Sequence, residues 1–259
     1  AKTTADIIVF CGVHFMGETA KVLCPDKKVL VPDLNAGCSL ADSCPAVDFA
    51  EFVKQHPGHV VISYVNTTAA VKAVTDVVVT STNARQIVES FPEDTKIIFG
   101  PDRNLGNYIN GITGRKMVLW DGACHVQILE LKKQYPDAEV ITHPECKQPI
   151  VQVSDFVGST AALLKHTVKS DKKQFIVATE SGVIHEMRKQ SPDKEFIPAP
   201  PNDSTCACNE CNFMRLNTME KLYNCLKYEL PEIFVDEQVQ EKAIRPIKKM
   251  LEISERLGL

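Results

Sequence analysis

HVVISYVNTTAAVKAVTDVVVTSTNARQIVES, residues 59–90, and AEVITHPECKQPIVQVSDFVGSTAALLKHTVKS, residues 138–170, decide the fold, because they are two versions of one pattern. In each, an apolar strand ends in a polar cluster, Tyr64-Val65-Asn66 or His143-Pro144-Glu145. A second apolar strand then ends in Thr80-Ser81-Thr82 or Gly158-Ser159-Thr160, and a helix begins. Ser81 follows Tyr64 by 17 positions and Ser159 follows His143 by 16, a near-equality that marks a structural repeat.

Working outward, each copy is followed by a strand, a glycine or acidic turn, a helix, a second strand and a cysteine in a loop. These continuations are residues 96–124, ending at Cys124, and 174–211, ending at Cys211. Residues 7–38, ending at Cys38, form a third such stretch without its preceding half, so about forty further residues are expected ahead of Ala1. Cys38 precedes Tyr64 by 26 positions but Cys124 precedes His143 by only 19, which predicts a shortened loop after Cys124. Strands alternating with helices predict an α/β fold with parallel sheets and helices on both faces. Ligands bind such sheets beyond the carboxyl ends of the strands. The four polar clusters and the cysteine loops all fall there and are expected to face one crevice. Near the C-terminus, residues 212–230 predict one helix with Leu216, Met219, Leu222 and Tyr223 on a common face. Asp236 is placed to cap a final amphipathic helix, bent or interrupted at Pro246. Both helices are expected to pack on the first, incomplete unit.

A hydrophobic content of 44% with 24% charged residues fits a soluble globular chain. A net charge of −4 without a lysine or arginine stripe argues against a nucleic-acid partner. The longest apolar runs are strand length, short of the ~20 residues a membrane span needs. No signal-peptide pattern is visible, and a cytoplasmic location is expected. Ten cysteines in a chain neither short nor visibly secreted favour metal ligation and ordinary buried thiols over a disulfide framework. The equivalent placement of Cys38, Cys124 and Cys211 suggests three thiolates converging on one centre. That is one short of a full set for an iron–sulfur cube, and an iron with a vacant position can do chemistry. A structural zinc site would want four ligands, and Cys206-x-Cys208-x-x-Cys211 has no second C-x-x-C partner. His143 and Glu145 are candidates for acid/base work at a strand end. Ser81, Ser159 and Thr160 read equally as helix caps or as ligand contacts. A non-catalytic iron–sulfur electron carrier and a zinc-stabilised sugar-phosphate-binding module are the competing readings.

With these residues in hand, the chain resembles the quinolinate synthase family. The resemblance runs over essentially the whole chain and is carried by GVHFMGETAKVLCPDKKVLVPDLNAGCSLAD (12–42), YVNTTAAVKAVTDVVVTSTNA (64–84), IFGPDRNLG (98–106), WDGAC (120–124), THPEC (142–146), DFVGSTAALLK (155–165) and CNECNFMRLNT (208–218). It implies three pseudo-symmetric α/β/α domains around a central [4Fe–4S] cluster. The first would comprise residues 1–44 with 212–259, the second 45–125 and the third 126–211. It implies a transferase of NAD biosynthesis, condensing iminoaspartate with dihydroxyacetone phosphate to quinolinic acid with loss of phosphate and water, and transient contact with the enzyme that produces iminoaspartate. By the same resemblance Cys38, Cys124 and Cys211 hold the cluster, whose open iron acts as a Lewis acid. Tyr64, Asn66, Ser81, His143, Glu145, Ser159 and Thr160 line the substrate pocket, with Phe15 and Met16 as its wall. Tyr64, His143 and Glu145 are its catalytic candidates. The chain departs from the family in having Gln127, where a histidine three residues after the second cluster cysteine is usual. The family's N-terminal histidine/tyrosine motif and its Asp-Ser pair have no counterpart within these residues.

Overall fold

A computed structural model describes residues 3–121, 129–146, 148–199 and 211–259. In chain order the elements are β1 (Ile7–Val9), α1 (His14–Leu23), β2 (Lys28–Leu30), α2 (Ser39–Asp42), α3 (Ala46–Lys54), β3 (Val60–Tyr64), α4 (Ala69–Lys72), β4 (Val77–Val79), α5 (Ala84–Glu89), β5 (Ile97–Phe99), α6 (Arg103–Thr113), β6 (Val118–Leu119), α7 (Leu129–Gln134), β7 (Glu139–Thr142), α8 (Gln148–Gln152), β8 (Phe156–Val157), α9 (Thr160–Lys169), β9 (Gln174–Ala178), α10 (Val183–Gln190), β10 (Glu195–Pro198), α11 (Asn212–Arg215), α12 (Met219–Tyr228) and α13 (Glu237–Arg256). The alternation predicted from the sequence is present, and every pairing between these strands is parallel.

The chain divides into two compact units. One comprises Ala1–Pro101, Arg115–Gly122 and Asn212–Leu259, and the other Asp102–Gly114 and Ala123–Cys211. The first unit contains a four-stranded sheet of order β4-β3-β5-β6 and the two-stranded sheet β1-β2. The second contains a four-stranded sheet of order β8-β7-β9-β10. The two larger sheets therefore share one topology, with the second strand at the edge and the first beside it. The pair β1-β2 matches the β5-β6 and β9-β10 halves. Strand cores are unbroken runs of valine, isoleucine and phenylalanine buried on both faces, as in β4 (Val77, Val78, Val79) and β5 (Ile97, Ile98, Phe99), which is the pattern a covered parallel sheet requires.

The repeat extends to individual hydrogen bonds. Asp76 Oδ2 accepts from Val61 N at 2.8 Å, and Asp155 Oδ2 accepts from Val140 N at 2.8 Å. The hydroxyls of Ser63 and Thr75 meet at 2.9 Å, and those of Thr142 and Ser154 at 2.5 Å. Thr75 Oγ1 donates to Val71 O, and Ser154 Oγ to Ile150 O. Every one of these residues lies 79 positions from its counterpart. That offset equates Thr80 with Ser159 and Ser81 with Thr160, one residue away from the match read from the sequence. The two turns also differ. Ser159 Oγ caps α9 by accepting from Ala162 N at 3.3 Å. Thr80 instead donates its N–H and hydroxyl to Asn83 Oδ1, and α5 starts only at Ala84, so Ser81 caps no helix.

Two C-terminal expectations are corrected. Residues 212–230 do not form one helix: the Thr218 side chain accepts from Lys221 N and starts α12 afresh. Met219 and Tyr223 are 79% and 63% exposed, and the buried residue of α12 is Cys225. The last helix runs unbroken from Glu237 to Arg256 with Pro246 inside it. Asp236 Oδ1 does cap it, accepting from Gln238 N and Val239 N. Its apolar face packs on α4 and β4 as well as α1: Ala243 and Ile247 are buried against Val22, Ala69 and Val78. Residues 231–233 run antiparallel beside β2, with Ile233 N donating to Val29 O at 2.8 Å. A methyl on Gly17 would stand 2.7 Å from Val31 Cγ2, so only glycine lets α1 lie this close to β2.

Truncating Ile247, 1% exposed, to alanine is expected to destabilise the first unit by about 2–5 kcal/mol. Leu251→Ala, on the same helix but half exposed, is expected to change stability by less than about 0.5 kcal/mol. Urea denaturation followed by circular dichroism measures both.

Candidate active site

In the first unit, β3 delivers Tyr64, 5% exposed, to the sheet's carboxyl end. A tight turn follows, in which Thr67 N donates to Val65 O and Thr67 Oγ1 to Tyr64 O. Asn66 projects half-buried from this turn. The Lys72 ammonium fills its interior, donating to Val65 O at 2.9 Å and to Thr67 O. Phe15 of α1 is buried, with its ring centroid 5.7 Å from the Lys72 nitrogen; Met16 next to it is 36% exposed. β3 pairs with β4 in the register Tyr64↔Val79, so half-buried Ser81 lies two residues beyond Tyr64's partner. Cys38, half-buried, stands directly before α2. Its loop is tied to the start of α1, where His14 N donates to Ala36 O at 2.6 Å, and Phe213 lies 3.5 Å from the position of a β-carbon on Gly37.

In the second unit, β7 delivers His143 to the equivalent position, 7% exposed, with its N–H donating to Ala178 O. The Glu145 N–H donates to His143 Nδ1 at 3.4 Å. Glu145 Oε2 is 3.7 Å from the same Nδ1. Asn104 of α6 donates through Nδ2 to Glu145 O at 2.8 Å. The second carboxylate oxygen, Glu145 Oε1, is buried and has no hydrogen-bond partner. Buried polar atoms are nearly always partnered, which makes this oxygen one of four exceptions among the described residues. Ser159, 7% exposed, opens the ten-residue helix α9, and Thr160 is exposed at its first position.

The cysteines sort by environment. Cys24, Cys44, Cys146 and Cys225 are buried. Burial, helped by nearby Asp48, pushes the Cys44 thiol up to about 12, and burial followed by Cys11 raises Cys225. Such thiols stay protonated and make poor metal ligands. Cys38 and Cys211 are half-buried, as ligands to a bulky group at a surface crevice would be. Cys124, Cys206, Cys208 and Gln127 lie outside the described residues. Among the described residues no group of three or more histidine, cysteine or acidic side chains is gathered to hold a metal ion.

The sequence reading missed two bracing side chains. Asn104 stands 41 residues before Glu145 and gave no local signal. Lys72 had one: it is a lone charge within the apolar run AAVKAV.

The chain matches the family model described as Quinolinate synthetase A protein over residues 1–252. It is 57% identical to the quinolinate synthase of Synechocystis sp., the alignment covering 98% of this chain and 82% of the relative. It is 55% identical to the enzymes of the same name from Synechococcus sp. and Chloroherpeton thalassium, over 98% of this chain and 82% and 81% of theirs. No helix among the described residues is long and apolar enough to cross a membrane. With the family model matched over nearly the whole chain and identities above half, the chain belongs to the quinolinate synthase family.

Proposed function

We propose that this chain condenses iminoaspartate with dihydroxyacetone phosphate to quinolinic acid, releasing phosphate and water, as a cytoplasmic transferase of NAD biosynthesis. Family membership supports the product class. The observation that carries the chemistry is the His143–Glu145 pair with its unpartnered buried carboxylate oxygen. Forming an imine and then an aromatic ring requires several proton movements at carbon, nitrogen and oxygen. In this reading the Glu145 carboxylate accepts a proton and His143 donates one, two groups held together at one strand end. Ser159 and the N-terminus of α9 bind a carboxylate or phosphate of the substrates, since the first N–H groups of a helix favour an anion. Tyr64, Asn66 and Ser81 orient the substrates through hydroxyl and amide groups, and Thr160 adds a hydroxyl. Phe15 and Met16 exclude water from one side.

The donor set fits a [4Fe–4S] cluster held by Cys38, Cys124 and Cys211, because Cys38 and Cys211 are half-buried while four other described cysteines are fully enclosed. When bound, such a cluster supplies one iron without a protein ligand, a Lewis acid suited to helping a hydroxyl leave as water. We further propose three pseudo-symmetric α/β/α domains, 1–44 with 212–259, 45–125 and 126–211, the shared strand order of the two larger sheets being the observation in favour. The iminoaspartate-producing enzyme is the proposed transient partner.

Anaerobic purification should yield a brown protein with about four irons per chain. His143→Ala and Glu145→Ala are each expected to lower kcat by about 10²–10⁴-fold with iron and sulfide content unchanged; full activity in either variant would refute the acid/base assignment. Alkylation at pH 8 gives a separate check. Cys38, Cys124 and Cys211 should be labelled in the cluster-free protein and protected after reconstitution, while Cys44 resists labelling in both because its thiol stays protonated up to about pH 12.

A further inference from the structure

Lys72 is a fully buried ammonium in a position where the fold does not demand one. Its relative exposure is 0%, and its donors go to Val65 O at 2.9 Å, to Thr67 O, and to Thr67 Oγ1 at 3.3 Å. The Phe15 ring lies 5.7 Å away. Glu18 is its charged neighbour on α1, and the same carboxylate accepts from Ala69 N at 3.0 Å, at the start of the helix that carries the lysine. Burial draws the ammonium down to about 7 against the pull of Glu18, so the charged form is costly here and is lost as the pH rises past neutral.

The repeat shows that this cost is not one of building the sheet. The offset of 79 positions places Val151 of α8 where α4 has Lys72. With a valine there, the second unit forms the same strand order and the same aspartate, hydroxyl and carbonyl bonds. What differs is the turn after the first strand. In the second unit Asn104 holds one carbonyl of that turn, Glu145 O. In the first unit Lys72 holds two, one on each side of Asn66.

Resting on the reading of Tyr64 and Asn66 as substrate-binding residues, we propose that Lys72 is a positioning residue whose ammonium fixes the turn 64–67, and so the Asn66 side chain, through the carbonyls of Val65 and Thr67. An ammonium suits this task because it donates in three directions from one point, where an amide has a fixed plane. Loss of the clamp frees the turn to move by a fraction of its own width, and displacements of about 1 Å in a substrate-orienting group cost up to 10²-fold in rate.

The test compares the anaerobically reconstituted enzyme with Lys72→Met, Asn66→Ala and the double variant, by kcat and KM per iron and by melting temperature. Lys72→Met removes the cost of a buried charge but leaves the Val65 and Thr67 carbonyls without a donor, so it should fold with a melting temperature lowered by no more than a few degrees. It should nevertheless lose about 10–100-fold in kcat/KM, mainly through KM, with Lys72→Gln intermediate. In the double variant the lysine substitution should add less than its single effect, because both changes act on one turn. A lower melting temperature with unchanged kcat/KM would show a purely structural lysine and overturn the inference, as would full additivity. Failure of both Lys72→Met and Lys72→Gln to fold overturns it as well. Asn66→Ala with parental kcat/KM would remove the substrate-site reading and this inference with it. Asn66→Ala impaired beside an unimpaired Lys72→Met would overturn the inference alone.

Discussion

An aspartate at the base of each four-stranded sheet, exposed itself but bonded to a buried strand, is the constraint from which the strand ends follow. Asp76 accepts from Val61 N through its carboxylate while its own N–H donates to Val61 O, and Asp155 repeats both bonds with Val140. Val61 and Val140 are 3% and 0% exposed, so without the carboxylate each N–H would be buried and unpaired, a cost of about 1–3 kcal/mol. The reciprocal pair locks the stagger of first strand against second. A slip by one residue would turn every side chain to the opposite face. With the stagger locked, Tyr64 is paired with Val79 and Thr142 with Val157, and the polar residues that follow are delivered to the carboxyl end of each sheet.

Upon this common base the two units end differently. One turn carries a phenol and an amide and is braced by a buried cation. The other carries an imidazole and a carboxylate and is braced by a neutral amide. Asn104 fixes the backbone of that turn without adding charge. The repeat thus supplies equivalent places, and substitution at those places supplies different chemistry.

The α/β class, the repeat and the parallel pairing were legible because continuous Val/Ile runs bounded by polar turns have few other readings. The stagger was read one residue out, since Ser81 looks like a helix cap and Asn83, which takes the hydroxyl and N–H of Thr80, does not announce itself. The C-terminal helices failed for a related reason. Periodicity placed Met219 and Tyr223 on a core face, but the break at Thr218 changes the phase and buries Cys225 instead. Pro246 does not interrupt the last helix, in which it is buried and which packs on α4 and β4. Tyr64 and His143 could be placed at strand ends in advance, because apolar runs stop at them. Lys72 and Asn104 act on backbone carbonyls, and a carbonyl carries no sequence signature.

Four buried side-chain atoms among the described residues lack a hydrogen-bond partner: His14 Nδ1, Gln86 Oε1, Glu145 Oε1 and Asn217 Oδ1. Glu145 alone of these sits at the strand-end turns. An acceptor left dry raises the free energy of the unliganded protein, and any ligand that donates to it recovers that energy on binding. A ligand lacking the donor leaves the oxygen as it was and gains nothing. Selectivity of this kind discriminates far more strongly than a missing methylene does, because it turns on an unmet hydrogen bond in a dry place. An iminium or ammonium nitrogen satisfies the oxygen, whereas a second carboxylate would be repelled. Under the proposed function, an oxygen of this kind would favour a nitrogen-bearing substrate beside His143.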